Sequence, residues 1–542
     1  MRVPSHMNHN FSQVPNADIP RSQFLRNHGL KTTFNSGWLV PIFVDEALPG
    51  DTFKLNMTAF ARLATPLHPF MDNLFMDTFF FAVPNRLVWD NWQKFNGEQK
   101  NPGDSTDFLV PQMTSPVGGY VPPSDWTTAT TAQLSGALAD YFTLPTRVAG
   151  VSHSALWHRS YNLIYNEWFR DENLQNSVVV DLDDGPDDPN DYILKRRGKR
   201  HDYFTSSLPW PQKGPSVPLP LTGNAPVKGI GVNGGAAAAT AFWQNGGTQY
   251  TGPGWDDSGS DIRIAAQTTG GPSASNAPQI YADLSAVAAA TINSLRQAFQ
   301  IQKLYERDAR GGTRYTEILR AHFGVTSPDA RLQRPEYLGG GSTPVNVNPI
   351  AQTSAASGQP TPQGNLAAMG TAHLNNHGFT KSFTEHCLII GLVSVRADLT
   401  YQNGLHRMFS RRTRFDFYWP ALSHIGEQAV LNKEIYAQGT ANPTADAAAF
   451  GYQERFAEYR YKPSAITGKF RSNDPQTLDS WHLAQKFTSL PLLNGTFIEE
   501  NPPVGRVIAV PTEPEFLFDS YFNLTCARPM PVYSVPGLID HF

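Results

Sequence analysis

The chain has 542 residues, and its 43 Lys and Arg against 47 Asp and Glu give a formal net charge of −4. This length suits one very large domain or two to four ordinary ones, and the near balance of charge excludes a global field for nucleic acid. Charged residues reach only 17% and aromatic residues 12%, while 43 Gly and 43 Pro favour turns and irregular connections over helices.

Cysteine usage and the N-terminus bear on the compartment. Cys387 and Cys526 are too few for a disulfide framework, so we expect folding in reducing surroundings. The first residues, MRVPSHMNHNFSQVPNADIP, contain no apolar segment of signal-peptide length. The apolar run CLIIGLVSV is about half a membrane span. The sequence therefore predicts a soluble protein that is free of disulfides, is not secreted through a signal peptide and has no membrane partner.

The first strong strand signal is TFKLNMTAFA at 52–61, where apolar and polar residues alternate directly after the turn signal LPGD. A second strand is predicted around Phe75, Phe79 and Phe81, which share one face, with Phe80 on the other. Because both faces of this second strand are apolar, we expect both to be covered.

A short helix is predicted next. Pro84 and Asn85 end the strand, after which Val88, Trp92 and Phe95 recur at helical spacing. The aromatic residues that we expect in the core or in interfaces are Phe75, Phe79, Phe81, Trp89, Trp92, Phe95 and Trp419.

Three further segments have helical patterns. LWHRSYNLIYNEWFR at 156–170 carries apolar residues near helical spacing. A longer helix is predicted at 281–309, where Gly311 and Gly312 end the pattern. RYTEILRAHFG is a third, shorter candidate.

An acidic run, DLDDGPDDPND, occupies 181–191. Its carboxylates could chelate calcium, although the order of ligands and glycine is not that of an EF-hand loop. A solvated loop is the preferred interpretation. The weak calcium candidates are Asp181, Asp183, Asp184, Asp187 and Asp188.

The basic run KRRGKRH follows at 195–201. Such runs are usually solvated, and here the run could also pair with the acidic run beside it. The alternative is a phosphate-binding patch with Tyr203 and Phe204 as stacking surfaces. Its candidates for DNA contact are Lys195, Arg196, Arg197, Lys199 and Arg200.

Two segments have unusual composition. Residues 209–280 are rich in Gly, Ala, Thr and Pro, and a second low-complexity stretch covers 339–370. Neither stretch is flanked by a sequence that folds alone, so we interpret both as loops inserted into one fold.

Strand signals return in the C-terminal half. The run at 386–399 is continuously apolar and β-branched, which predicts a fully buried strand. TRFDFYW, ending at Trp419, and FLFDSYFNLTC at 516–526 alternate apolar and polar residues. Strands near both ends of the chain, separated by very long connections, indicate one β-sandwich or barrel closed by non-local pairing.

The segment HRMFSRRTRF at 406–415 interleaves arginines with aromatic residues. It fits a nucleic-acid contact, and it fits equally a strand edge whose arginines pair with carboxylates of neighbouring subunits. The candidates for DNA contact in this segment are Arg407, Arg411, Arg412 and Arg414.

No enzyme signature is present, since HExxH, GxSxG and GxxxxGK[ST] do not occur. His153 and His158 are five residues apart, which misplaces them for metal binding on one helical face. Cys387 lies in an apolar run and is expected in the core rather than as a nucleophile. We therefore predict no catalytic residue, no metal and no cofactor.

Long strings of the sequence resemble the major capsid proteins of gokushoviruses, a branch of the Microviridae. The resemblance covers nearly the whole chain in order. The strings that carry it include HPFMDNLFMDTFFFAVPNRLVWDNW, RRGKRHDYFTSSLPWPQKG, ERDARGGTRYTEILRAHFGVTSPDARLQRPEYLGG, YWPALSHIGEQAVLNKEIY, QERFAEYRYKPSAITGKFRS, DSWHLAQKF and RPMPVYSVPGLIDHF.

The resemblance implies a mainly β, eight-stranded viral jelly roll with very large loop and helical insertions. It implies one capsid domain over 1–542, with an N-terminal arm at 1–36, a helical insertion at 281–309 and a C-terminal barrel strand at 515–526. Within that fold we expect Phe75, Phe79 and Phe81 to fill the barrel. Phe80 and the Val88, Trp92 and Phe95 stripe are then expected under an inserted helix or a neighbouring subunit.

The resemblance also implies function and partners. The protein would be no enzyme but a virion component that self-assembles, in the bacterial host cytoplasm, into a T=1 shell of sixty copies around circular single-stranded DNA. Other implied partners are a small basic DNA-binding virion protein, internal scaffolding and pilot or minor virion proteins, and a host cell-surface receptor.

The insertion at 209–280 has the length and composition for the family's outward protrusion at the threefold axes, which is thought to meet the host. This assignment is made by position, since the family shares little sequence there. Residues chosen to represent the protrusion are Asn224, Gly234, Gly235, Trp243 and Trp255.

Two alternatives remain at this point. A jelly roll also occurs in carbohydrate-binding proteins and in cupin-like metalloenzymes, which need a metal cluster of His and Glu from adjacent strands. A minor spike or tail protein is the other alternative, and copy number in purified particles would distinguish it.

Overall fold

The computed structural model describes residues 20–214, 292–354 and 363–533, together with six two-residue strands between Val227 and Ala282. The chain divides into two compact units, one of residues 1–211 with 311–542 and one of residues 212–310. No helix in these described parts is long and apolar enough to span a membrane.

The larger unit is built on one antiparallel sheet of nine strands. The strands are β1 (Ser22–Leu25), β2 (His28–Phe34), β3 (Val40–Ala47), β4 (Thr52–Leu63), β5 (Leu74–Pro84), β6 (Glu336–Ala351), β7 (Leu366–Ser382), β8 (Cys387–Ala397) and β9 (Phe516–Arg528). Their order across the sheet is β1-β9-β4-β7-β6-β5-β8-β3, and β2 also pairs with β9.

The sheet is eight strands wide because β1 and β2 follow each other along the same edge of β9. It curls so that its two edges meet through side chains. Arg26 donates two hydrogen bonds to Asp45 at 2.6 and 3.0 Å, and the ring of His28 stacks on Phe43 with centroids 5.8 Å apart. The predicted mainly β, eight-stranded jelly-roll architecture is confirmed.

The interior of the curled sheet is packed with aromatic rings from distant parts of the chain. Phe80 of β5 contacts Phe43 of β3 and Phe379 of β7, with centroids 6.1 and 5.6 Å apart. Phe43 in turn contacts Phe522 of β9 at 5.2 Å. Since β3, β5, β7 and β9 are far apart in the sequence, this core forms only when the whole sheet has closed.

The predicted orientation of β5 is wrong. Phe80, expected under an insertion, is fully buried inside the sheet. Phe79 and Phe81 lie on the outer face, where Phe169 contacts them with centroids 5.3 and 5.9 Å apart. Phe75, also on that face, carries the guanidinium of Arg200 at 4.6 Å. Alternation tells which residues share a face, but two apolar faces give no sign of which one points inward.

The segment after β5 forms a small aromatic cluster. Trp89 is fully buried, and its ring lies 5.3 Å from Phe95 and 6.1 Å from Trp92. The helix predicted here is a single turn, Trp92–Phe95, preceded by a 3₁₀ turn at Asn85–Leu87.

Helices and short hairpins fill the connections. The helix predicted at 156–170 is α-helical to Ile164 and continues as a π-turn. Helical segments are Thr131–Tyr141, Leu156–Ile164, Tyr165–Phe169 (π), Tyr315–Ile318, Leu319–Phe323 (π), Asp329–Leu332, Asn432–Ile435, Pro443–Ala447 and Gly495–Ile498. The small hairpins pair Gln112–Thr114 with Ser152–Ser154 and Glu427–Leu431 with Ala449–Glu454.

The described residues of the loop predicted at 339–370 are instead mostly strand, since β6 and β7 pair with each other there. Its glycines serve close packing. A Cβ on Gly339 would lie 2.5 Å from the carbonyl oxygen of Gly378, and one on Gly341 would lie 2.6 Å from Nε2 of His377. Glycine inside a strand often marks such a close approach of another backbone or side chain.

Two other boundaries differ from the prediction. The arm predicted at 1–36 includes β1 and β2 of the sheet, while residues 1–19 lie outside the described part. The strand predicted to end at Trp419 is wrong, because Arg414–Asp416 forms a 3₁₀ turn. The carboxylate of Asp416 accepts the backbone N–H groups of Arg412 and Thr413 and so stabilises a turn.

The smaller unit contains paired two-residue strands and one helix. The pairs are Val227–Lys228 with Tyr281–Ala282, Phe242–Trp243 with Gln249–Tyr250, and Trp255–Asp256 with Arg263–Ile264. The helix predicted at 281–309 spans Ile292–Gly311, and residues 283–291 lie outside the described part.

Candidate functional site

The basic run at 195–200 lies against the outer face of the sheet. The guanidinium of Arg196 stacks over the ring of Trp38 at 4.1 Å. Arg197 donates to Asp77 of β5 at 2.5 Å, and Arg200 donates to Asp398 at 3.2 Å. The predicted pairing of this run with the neighbouring acidic run is therefore wrong, since the carboxylates come from β5 and from the end of β8.

Arg197 and Arg200 line a cavity of about 720 Å³ in the larger unit. Pockets that hold small molecules typically have about 300–1,000 Å³, so the volume is enough for a nucleotide. The basic residues of its wall are Arg170, Arg197, Lys199, Arg200, His201, Arg314 and Arg396. The aromatic residues are Phe79, Phe81, Trp168, Phe169 and Tyr337, and the acidic ones are Asp171 and Glu317.

Two cations of the cavity wall, Arg197 and Arg396, share the buried carboxylate of Asp77. Asp77 accepts from Arg197 at 2.5 Å and from Arg396 at 2.9 Å. Burial and the neighbouring Arg197 and Arg200 lower the pKa of the Arg396 guanidinium. An anion in the cavity would relieve this repulsion between like charges.

Lys199 of the cavity wall is buried near Glu500, which is fully removed from solvent. Burial raises the pKa of Glu500 to about 7, and burial lowers the pKa of Lys199 to about 8. Oε2 of Glu500 has no hydrogen-bond partner in the described part of the chain, while Nζ of Lys199 donates to Gln485 at 3.2 Å. We therefore expect the protonation of both side chains to change with pH or when a ligand binds.

Aromatic rings are the second kind of binding group in the cavity wall. The guanidinium of Arg197 lies 4.9 Å from the centre of the Phe79 ring. Trp168 and Tyr337 both pack against Phe81 of the same wall, and their own centroids are 6.0 Å apart. Guanidinium groups for phosphate and aromatic faces for bases are the two elements that proteins use to bind single-stranded nucleic acid.

The other predicted DNA-contact segment, 407–414, is arranged differently. Arg407 donates to Glu434 at 2.9 Å, and Arg411 donates to Glu458 at 3.2 Å. Both glutamates are buried, and burial raises the pKa of Glu434. Arg412 and Arg414 are exposed.

Trp419 is also exposed, and the guanidinium of Arg414 lies over its ring at 4.5 Å. Two of the four predicted arginines, Arg407 and Arg411, thus serve as internal ion-pair partners.

The acidic run surrounds an arginine. Arg159 is fully buried and makes two hydrogen bonds to Asp187, at 2.5 and 2.7 Å, and one to Asp183 at 3.3 Å. Asp184 instead accepts from Nε1 of Trp89 at 2.7 Å. The weak calcium prediction is therefore not supported, because a guanidinium occupies the position between the carboxylates.

No metal site is formed within the described residues, where no group of three or more His, Cys, Asp or Glu side chains is suitably placed. His153 and His158 do meet, with ring centroids 5.3 Å apart, and burial lowers the pKa of His158 to about 3. Cys387 and Cys526 are free and buried.

The protrusion candidates are only partly described. Trp243 and Trp255 lie in the short strands of the smaller unit. Asn224, Gly234 and Gly235 lie outside the described residues.

Three residues of this region were not identified from the sequence, namely Arg396 in the cavity wall and the buried Asp77 and Glu500 that interact with its cations. A signal was present for two of them. Asp77 is the single charge within the apolar strand LFMDTFFFAVP, and Arg396 is the single charge within CLIIGLVSVRA. A lone charge in a buried strand must find a partner, so such residues mark candidate sites.

Comparison with known proteins gives the chain a family. The model of the capsid protein (F protein) family matches residues 12–538. The capsid protein VP1 of Bdellovibrio phage phiMH2K is 48% identical, with 99% of each chain covered. The proteins of the same name from Chlamydia phage 1 and Spiroplasma virus 4 are 46% and 38% identical over at least 97% of each chain. The chain therefore belongs to the capsid protein (F protein) family of phages.

Proposed function

We propose that this protein is the major capsid protein of a small phage and assembles into a T=1 shell of sixty copies around circular single-stranded DNA. The observation that carries the proposal is the full-length similarity to proteins named capsid protein VP1. The closed jelly-roll sheet supports it, since such sheets form rigid shell walls. Assembly takes place in the cytoplasm of the bacterial host, and the mature location is the virion.

The cavity beside the basic run is the preferred contact for the genome. Its guanidinium groups would hold phosphates, and its aromatic wall would stack bases, without reading a sequence. Arg197, Lys199 and Arg200 of the original candidates line it. Arg412 and Arg414 are the exposed alternative.

The insertion at 209–280 is proposed to project outward at the threefold axes and to contact a host receptor. The small basic virion protein, the scaffolding proteins and the pilot or minor proteins are the other proposed partners. The composition of the insertion and its separation as a compact unit support this role.

The genome contact is tested with two matched double variants of the purified chain. Arg170→Gln with Arg200→Gln removes two cavity cations, and Arg412→Gln with Arg414→Gln removes two exposed ones. We expect the first variant to weaken binding of an unstructured single-stranded DNA and to flatten the dependence of log K on log salt by roughly 0.7 for each lost phosphate contact. The second variant should retain the wild-type slope.

An unchanged slope in the cavity variant, with a flattened slope in the other, would move the genome contact from the cavity to Arg412 and Arg414. Unchanged slopes in both variants would remove both surfaces from the proposal. Thermal unfolding of each variant checks that a loss of binding does not come from a loss of folding.

A further inference from the structure

Five large exposed side chains lie in or close to the 3₁₀ turn at 414–416, and we call them together the aromatic platform. Its members and their exposed fractions are Phe415 (61%), Phe417 (51%), Tyr418 (50%), Trp419 (42%) and Tyr459 (51%). The rings of Tyr418 and Tyr459 are 6.3 Å apart, and Arg411 bridges Tyr459 and Phe417. Side chains of this size are rarely clustered on the surface of a monomer without a partner.

A buried ion pair holds part of the aromatic platform in place. Arg411 lies 4.3 Å above the Tyr459 ring and donates to Glu458 at 3.2 Å. Glu458 also accepts from Gln428 at 2.7 Å. These contacts hold Arg411 against the Tyr459 and Phe417 rings, so less side-chain entropy is lost there when a partner binds.

The charges of this segment suit a protein partner better than a polyanion. Of the four arginines between 407 and 414, Arg407 and Arg411 are neutralised by buried glutamates. Arg414 stacks on Trp419, and Asp416 adds a negative charge beside it. Aromatic residues with arginine and few other charges are the typical composition of the centre of a protein interface.

The exposed area of the aromatic platform is also comparable with that of the centre of a protein interface. Aromatic side chains bury roughly 150–250 Å² each, so five that are about half exposed offer roughly 500 Å². One side of a standard protein interface buries about 800 Å². The aromatic platform is thus large enough for the centre of such an interface.

We propose that the aromatic platform is a contact surface between two copies of this chain. The inference rests on the proposed shell, in which every copy must touch its neighbours, and it names one surface that they use. The buried ion pairs at 407–411 then act as positioning groups for the platform rather than as genome contacts.

The test replaces two rings and retains a matched control. Phe415→Ala with Phe417→Ala removes exposed rings without opening a cavity, whereas Phe415→Tyr with Phe417→Tyr keeps the rings. We expect the Ala variant to raise the protein concentration needed for assembly by roughly tenfold or more, as for loss of an aromatic anchor. The Tyr variant should assemble close to the wild-type concentration, and both should unfold at the wild-type temperature.

Assembly of the Ala variant at the wild-type concentration would overturn the inference while leaving the shell proposal intact. Weaker binding of single-stranded DNA with unchanged assembly would also overturn it and would make the aromatic platform a stacking surface. If the wild-type chain itself forms no particles, the shell proposal fails and this inference fails with it.

Discussion

At the scale of single residues, the most demanding interaction is the buried pair of Arg159 and Asp187. Both side chains are almost fully removed from solvent, at 0% and 1% exposure. Removal of one partner from a buried ion pair leaves an uncompensated charge, which typically costs about 3–5 kcal/mol. Asp183 lies 3.3 Å from the same guanidinium but is 78% exposed.

The buried pair of Arg159 and Asp187 gives a prediction for which the exposed Asp183 is the control. Asp187→Asn should lower the free energy of unfolding by about 3 kcal/mol or more, because the guanidinium keeps its charge but loses its counterion. Asp183→Asn should cost less than about 1 kcal/mol, since water screens an exposed carboxylate. Urea unfolding followed by tryptophan fluorescence measures both, and equal shifts for the two variants would contradict the buried pair.

Glu500 carries a pH dependence whose sign follows from its environment. Burial raises its pKa to about 7 in the folded protein, whereas an unfolded glutamate titrates near 4.5. The folded state therefore holds the proton more tightly, and this contribution to stability is present below pH 4.5 and lost as pH rises through about 7.

Glu500→Gln should remove this dependence, because the amide does not ionise. The free energy of unfolding of the variant relative to wild type should increase between pH 5 and pH 7.5, by up to about 3 kcal/mol for a pKa difference of this size. Denaturant titrations at a series of pH values measure it. A difference that is constant with pH would show that Glu500 does not titrate in this range.

At the scale of elements, the sequence predicts strands well where apolar residues alternate or run on. The strands at 52–61 and 386–399 are present as β4 and β8. Alternation alone did not give the orientation of β5, because both its faces are buried. The alternating pattern also predicts a strand wrongly at 414–419, because local hydrogen bonds to Asp416 favour a turn there.

The glycine-rich start of β6 was predicted as a loop because composition does not distinguish flexibility from close packing. The packing is visible only across strands, since a Cβ on Gly340 would fall on the carbonyl oxygen of Thr78 in β5. Such contacts between residues more than 250 positions apart cannot be read from neighbouring letters.

Gly340→Ala tests this account of β6. The added methyl must push β5 and β6 apart, and we expect a loss of about 1–3 kcal/mol in the free energy of unfolding. Gly103→Ala is the matched control, because a Cβ at Gly103 meets no atom within 4 Å. Thermal unfolding and hydrogen exchange of the β6 amides measure the effect. Equal stability of the two variants would contradict the close packing.

At the scale of the whole molecule, the sheet joins β1 and β2 to β9, so strands from the N-terminal and C-terminal parts of the sequence lie side by side. Strand signals at both ends predicted this closure. Only part of the cavity is predicted from the sequence, because its basic run is contiguous, whereas Arg314, Arg396 and the carboxylate of Asp77 that pairs with Arg396 come from three distant segments. Sites assembled from separate strands become visible only with the sheet order.

The central claim is that identical copies cover one another's exposed apolar surface in a closed shell. Mass measurement of particles assembled from the purified chain, with and without circular single-stranded DNA, tests it most directly. Sixty copies of 59.8 kDa predict a protein mass of about 3.6 MDa in one sharp peak. A chain that stays at 59.8 kDa at high concentration, or that forms only aggregates of undefined mass, would contradict the claim.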